Sequence, residues 1–130
     1  MRILIADDNE QVRRCISGMI SSETNWKVCG EAKDGAEAIQ KARELQPDLI
    51  LLDVSMPRLA GLEAARLLRQ ELPKVKIIIV SQHDPIKLLP RAVEAGAHAC
   101  VDKSRLSTDL LASIKSVVGT PEAHRIANAG

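Results

Sequence analysis

Several polar residues stand where apolar runs stop. Asp7 and Asp8 follow Ile3-Leu4-Ile5-Ala6, Asp53 ends Leu49-Ile50-Leu51-Leu52, Ser81 ends Ile77-Ile78-Ile79-Val80, and Lys103 follows a fifth apolar segment. If a sheet gathers those ends, three carboxylates, a hydroxyl and an ammonium share one site. Two carboxylates about 4 Å apart repel by roughly 4 kcal/mol at an effective dielectric near 20, so something cationic should sit among them. Oxygen donors favour a hard ion, and a few carboxylates completed by water suit Mg²⁺ better than a closed Ca²⁺ cage. Taken singly, Asp7-Asp8 also serves as turn or cap chemistry, Ser81 as loop polarity and Lys103 as a solvated side chain. Asp53 shifts the weighing, because a carboxylate that closes an apolar strand needs a partner. A metal, an ammonium and a hydroxyl around one carboxylate describe a phosphoryl-transfer site. In that chemistry Asp53 attacks phosphorus, and the metal and Lys103 offset charge on the equatorial oxygens.

The elements that must position these groups alternate in type. Ile3 to Ala6, Leu49 to Leu52 and Ile77 to Val80 are nearly continuous apolar runs, as expected of strands covered on both faces. Trp26 to Glu31 and His98 to Val101 are weaker candidates for two further strands. Between them apolar residues recur at helical spacing: Val12, Ile16, Met19 and Ile20; Ile39, Ala42 and Leu45; Leu62, Ala65, Leu68 and Leu72. Leu110, Leu111, Ile114, Val117 and Val118 make a last helix, with Ser107 as its expected N-cap and Asp109 in its first turn. A βα unit repeated five times, with right-handed crossovers, predicts an α/β fold: a doubly wound parallel sheet with helices on both faces. In such a sheet the site lies beyond the carboxyl ends of the strands, where the polar residues fall.

The 130 residues carry 18 Lys+Arg against 17 Asp+Glu, a formal net charge of +1, with 45% hydrophobic and 27% charged content. This fits one globular domain able to bury a core unaided and argues against disorder and coiled coil. It offers no basic surface for nucleic acid, so the chain by itself should not bind DNA strongly. No apolar stretch approaches the roughly 20 residues of a membrane helix, and acidic residues come too early for a secretory signal, which points to a cytoplasmic protein without membrane contact. Cys15, Cys29 and Cys100 have no CxxC spacing and are expected to be buried thiols, and the three histidines form no i,i+4 pair for zinc. Residues 1–118 are expected to form the domain, with 119–130 a C-terminal tail or the start of an interdomain linker.

The order Asp7-Asp8, Asp53-x-x-Met56-Pro57-x-x-x-Gly61, Ser81, Lys103 resembles a receiver domain of bacterial two-component response regulators. Within that family Asp34-Gly35-Ala36-Glu37-Ala38, Asp48 to Asp53 and Ala92-Val93-Glu94-Ala95-Gly96-Ala97 are most similar to the NarL/FixJ-type transcriptional regulators. The resemblance implies a flavodoxin-like (βα)5 fold with a five-stranded sheet ordered 2-1-3-4-5. It makes Asp53 the phosphoacceptor, modified by a sensor histidine kinase. Mg²⁺ would be held by Asp8, Asp53 and the backbone carbonyl of Ser55, with Asp7 acting through a water. Ser81 and Lys103 would each pair with a phosphoryl oxygen. The implied output face is the fourth helix, fifth strand and fifth helix, often used for a phosphorylation-linked homodimer. DNA would be reached only through an output domain not present in these residues. Such a site makes a signal rather than a product; a standalone receiver or phosphorelay intermediate is the alternative.

Three positions depart from the family pattern. Cys100 stands where an aromatic residue usually precedes the lysine by three, and the chain has no Phe or Tyr and a single Trp, Trp26. Lys103 is followed by Ser104 instead of proline; a cis bond without proline costs about 2.5 to 4 kcal/mol, so a trans bond is expected. Pro90 falls inside the fourth helix if Asp84 caps it and Pro85 opens it, which predicts a kink or a start near Leu89. Two other classes lack their motifs: an aspartyl-nucleophile phosphohydrolase needs Asp-x-Asp, and a nucleotide or flavin domain needs GxGxxG or a lysine-bearing phosphate loop.

Overall fold

The computed structural model describes residues 1–54, 61–82 and 84–119. Five strands, β1 (Arg2–Ala6), β2 (Lys27–Ala32), β3 (Leu49–Asp53), β4 (Lys76–Ser81) and β5 (Ala99–Asp102), form one parallel sheet in the order β2-β1-β3-β4-β5. They alternate with helices α1 (Glu10–Ser21), α2 (Gly35–Leu45), α3 (Gly61–Glu71), α4 (Pro85–Glu94) and α5 (Leu106–Val118). The predicted doubly wound α/β fold is therefore the observed one. The two weaker strand predictions each sit one residue early.

The period-two alternation of the strands sorts the apolar side chains into two layers. Ile3, Ile5, Leu49, Leu51, Ile78 and Val80 face Ile16 and Ile20 of α1 and Leu110 and Ile114 of α5. Leu4, Ala6, Ile50, Leu52, Ile77 and Ile79 face Ala38, Ala42, Ala64, Leu68, Leu88 and Ala92 of α2, α3 and α4. The register also sets the site: Ala6 lies beside Leu52, Asp53 beside Val80, and Ser81 beside Asp102. The residues just past Ala6 and Leu52 therefore emerge at the same level of two adjacent strands.

Caps explain the helix starts. Asn9 opens α1 by accepting the N–H groups of Gln11 and Val12. Asp34 opens α2 by accepting the Glu37 N–H at 2.8 Å, while Glu37 reaches back to the Lys33 N–H, a reciprocal arrangement worth about 1 kcal/mol. At α5 the expected cap is wrong. Asp102 starts a 3₁₀ turn (Lys103–Arg105) by accepting the Ser104 N–H, the turn runs into α5 at Leu106, and Ser107 lies within the helix. The buried Leu106 and the carboxylate of Asp102 outweigh a serine one residue further on.

Asp84 does cap α4, with Pro85 at its first position, but the helix does not begin near Leu89: it is continuous through Pro90. The proline ring leaves only the Ile86 carbonyl without its helical donor. Pro90 and Leu89 are exposed and Ile86 is 83% exposed, so water can serve that outward turn. The cysteines are free, as expected, yet none is fully buried. Cys15 is exposed on α1, outside the Ile16 and Ile20 stripe; Cys29 is the extra residue where the pairing of β1 with edge strand β2 shifts; Cys100 lies on edge strand β5. Apolar flanks do not bury a residue at an edge or bulge.

Candidate functional site

At the carboxyl end of the sheet, one carboxylate oxygen each from Asp7, Asp8 and Asp53 lies within 4.8 Å of the others. Asp7 and Asp53 are buried, at 2% and 1% exposure, and Asp8 faces solvent. Lys103 extends from the 3₁₀ turn between them, its Nζ 2.8 Å from Asp7 Oδ2 and 3.3 Å from Asp53 Oδ2. Ser81 is fully buried at the end of β4, one position beyond the residue paired with Asp53. Four of the residues singled out in the sequence thus meet in one cluster, with Ser81 on the neighbouring strand end. Ser55, Met56 and Pro57 lie outside the described residues.

Asp7 is held on every side. Its N–H donates to the Ala32 carbonyl at 3.0 Å, its Oδ1 accepts the Asn9 N–H at 2.8 Å, and its Oδ2 meets Lys103. Burial pushes its carboxyl above the ordinary range; the Lys103 and Asn9 contacts pull back, and the charge of Asp53 raises it again. For Lys103 burial works against the ammonium, but the bond to Asp7 and the charges of Asp53 and Asp7 outweigh it, so its pKa lies above the usual lysine value. Its approach is set without a cis bond, as no cis peptide occurs among the described residues. Asp102 Oδ1 instead accepts both the N–H and the hydroxyl of Ser104, at 2.9 and 2.8 Å. A proline at 104 has neither donor, so the serine supplies a different anchor for the same turn. Those two bonds hold the Asp102 carboxyl below its ordinary range.

Among the described residues, three carboxylates meet one ammonium in this cluster. The donors are hard oxygens and Asp8 is open to solvent, so the cluster has the size, charge and access to hold a metal ion. A groove lined by Met1, Pro47, Leu72, Pro73 and Val118 lies at the opposite end of the strands and carries none of these groups.

Sequence reading missed Arg13. Its Nη1 donates to the Asp7 carbonyl at 2.7 Å and its Nε to Glu31 on β2 at 2.9 Å. The only signal was its place beside the Val12 and Ile16 stripe, which the neighbouring Arg14 shares poorly. Cys100, in the position of the usual aromatic, is half-buried against the α2–α4 layer, and burial pushes its thiol up to about 11 from 9.0. At about pH 8 its thiolate fraction is therefore about 100-fold below that of an ordinary cysteine. Alkylation followed by peptide mass mapping is expected to label exposed Cys15 first and Cys100 only after unfolding; equal rates would show that Cys100 is open to solvent. The same shift makes stability fall between pH 9.0 and about 11, because the unfolded chain loses the proton first.

Residues 3–115 match the family described as response regulator receiver domain. The response regulator protein VraR of Staphylococcus saprophyticus subsp. saprophyticus is 34% identical over 115 residues, which are 88% of this chain and 55% of VraR. The chain thus spans about half the length of the curated relatives it matches. Among solved structures, the response regulator domain of Thermotoga maritima CheB superposes with a TM-score of 0.84 at 31% identity, covering 93% of this chain and 98% of that one. A LuxR family two-component response regulator from Aurantimonas sp. SI85-9A1 gives 0.86 at 32% identity, covering 91% and 84%. The arrangement of acids and lysine at the strand ends is thus carried by a chain that belongs to the response regulator receiver domain family.

Proposed function

We propose that Asp53 accepts a phosphoryl group from the phosphohistidine of a sensor histidine kinase in a Mg²⁺-dependent reaction. The observation that carries this reading is a buried carboxylate that shares one ammonium with a second buried carboxylate beside an open third. Asp8, Asp53 and the Ser55 carbonyl would hold Mg²⁺, with Asp7 acting through water; bound there, the ion supplies positive charge to the phosphoryl oxygens. An Asp53 oxygen forms the new bond to phosphorus as the phosphorus–nitrogen bond of the donor breaks, and the imidazole leaves with the electron pair. The Lys103 ammonium, no longer facing an Asp53 charge, pairs with one phosphoryl oxygen, and the Ser81 hydroxyl donates to another. Positioning and charge supply most of such catalysis, so few side chains suffice. The chain modifies only itself, by self-phosphorylation and autodephosphorylation, and turns over no other substrate.

Phosphorylation adds roughly −1.5 to −2 charge and new acceptors, which biases an existing two-state equilibrium. The face formed by α4, β5 and α5 then changes its partner preference, including for a second copy. The LuxR family name of a similar structure and the extra length of the relatives support transcriptional control through a DNA-binding output domain. In that arrangement residues 1–118 are the receiver and 119–130 begin the linker. No helix among the described residues is long and apolar enough to cross a membrane, in keeping with a cytoplasmic role.

Intact mass after incubation with acetyl phosphate and Mg²⁺ tests the reading. One phosphoryl group per chain is expected, on the peptide containing Asp53, and none when the divalent ion is chelated. Uptake on another peptide, or without a divalent ion, would overturn it.

A further inference from the structure

Asp8 is the least constrained of the three acids. It is exposed and makes no hydrogen bond or ion pair among the described residues, so its backbone alone orients its carboxylate. That backbone begins at the Asp7 carbonyl, which neither the sheet, nor the Asn9 N–H, nor Lys103 holds. Arg13 holds it, donating from Nη1 at 2.7 Å. Its Nε is braced at 2.9 Å by Glu31, whose own carbonyl accepts from Lys41 on α2. The Arg13 side chain is 16% exposed, whereas that of Arg14 is 77% exposed and makes only a surface pair with Glu10.

We infer that Arg13, braced by Glu31, is a positioning residue that fixes the Asp7–Asp8 peptide and thereby aims the Asp8 carboxylate at the cation. This rests on the metal-site reading above. A helical side chain leans toward the helix N-terminus, which is how residue 13 reaches back past Asn9 to residue 7. The planar guanidinium serves two acceptors in a fixed fork, and lysine cannot reproduce that geometry. Groups that orient metal ligands without touching the metal typically change affinity by 10- to 100-fold.

The sign of the effect separates positioning from mere charge. Arg13 brings a positive charge close to the acids, so a purely electrostatic role means that its removal tightens cation binding. Positioning requires the opposite. Titration calorimetry with Mg²⁺ on the whole chain is expected to show Arg13→Met about tenfold weaker than wild type, and Arg13→Lys between the two. Glu31→Gln is expected to lose about threefold, and adding it to Arg13→Met should cost nothing more, because Glu31 acts only through the guanidinium. In the metal-free protein, the Asp8 amide resonance should move in Arg13→Met while amides of β4 stay in place. Equal or tighter Mg²⁺ binding by Arg13→Met, or an unmoved Asp8 amide, would overturn the inference. If Arg13→Met fails to fold, Arg13→Lys and Glu31→Gln carry the same two readouts. Absence of Mg²⁺ uptake by the wild-type chain would instead remove the metal-site reading, and this inference with it.

Discussion

Asp53→Asn is expected to abolish phosphoryl uptake and, in Mg²⁺-free buffer, to make the protein harder to unfold. The first half follows from losing the proposed nucleophilic oxygen. The second follows from comparing magnitudes. Asp53 gains from Lys103 at 3.3 Å, about 5 kcal/mol at an effective dielectric of about 20. It also stands within 4.8 Å of Asp7 and of Asp8, and each repulsion is about 3.5 kcal/mol on the same scale, about 7 kcal/mol together. Among these four described groups, repulsion exceeds attraction by about 2 kcal/mol. Screening at exposed Asp8 reduces that excess, while relief of the desolvation cost of a buried charge adds to it. Asparagine keeps the shape and an acceptor and leaves Lys103 to Asp7. A net gain of about 1 to 2 kcal/mol is expected as a higher urea midpoint with an unchanged slope.

Mg²⁺ should invert that order. A ligand present at 100 times its dissociation constant stabilises the form that binds it by about 2.7 kcal/mol, and only the wild-type chain keeps all three carboxylates. Urea titrations of both proteins, with and without the ion, therefore cross. A lower midpoint for Asp53→Asn in the absence of Mg²⁺ would mean that the Lys103 contact outweighs the crowding. The charge argument for a cation in the cluster would then fail.

The strand ends carried this much because each apolar run stops at a polar residue that a buried sheet cannot take without a reason. Asp7, Asp8, Asp53 and Lys103 were legible on that ground alone, and so was the alternation of strands and helices. What sequence did not reveal depends on tertiary direction. Arg13 and Arg14 are adjacent and chemically identical, yet one turns inward to a backbone carbonyl while the other pairs with Glu10 in solvent. Cys29 lies among residues of strand propensity but sits at a register shift, which no local pattern marks. Ser107 obeys the cap preference, and Asp102 pre-empts it by starting a turn that Leu106 then anchors. Pro90 breaks a local rule at modest cost because its turn of α4 faces outward.

Gly61→Ala is expected to be among the most damaging single-methyl changes at this site. Gly61 opens α3, and its N–H donates to the Val54 carbonyl at 3.2 Å, which brings the helix start back onto the end of β3. A Cβ there would stand 2.6 Å from the Val54 Cα and 2.7 Å from the Asp53 carbonyl carbon, and closer still to the Asp53 carbonyl oxygen. All three obstacles are backbone atoms at the end of β3 and the residue after it, so no rotamer change relieves the clash. Either α3 or the Asp53–Val54 peptide must move. Overpacking of this kind costs about 3 kcal/mol at the upper end of its usual range. Because the displaced peptide carries the proposed acceptor, uptake from acetyl phosphate should also slow by about 100-fold, the penalty typical of misplacing a reacting group by about 1 Å. Gly18→Ala separates this from a general intolerance of alanine. Gly18 is exposed on α1 with nothing within 4 Å of a new Cβ, so the change should raise stability by about 0.5 to 1 kcal/mol and leave uptake alone. Should Gly61→Ala take up phosphoryl groups at the wild-type rate, the contact of α3 with β3 is not what holds Asp53 in place.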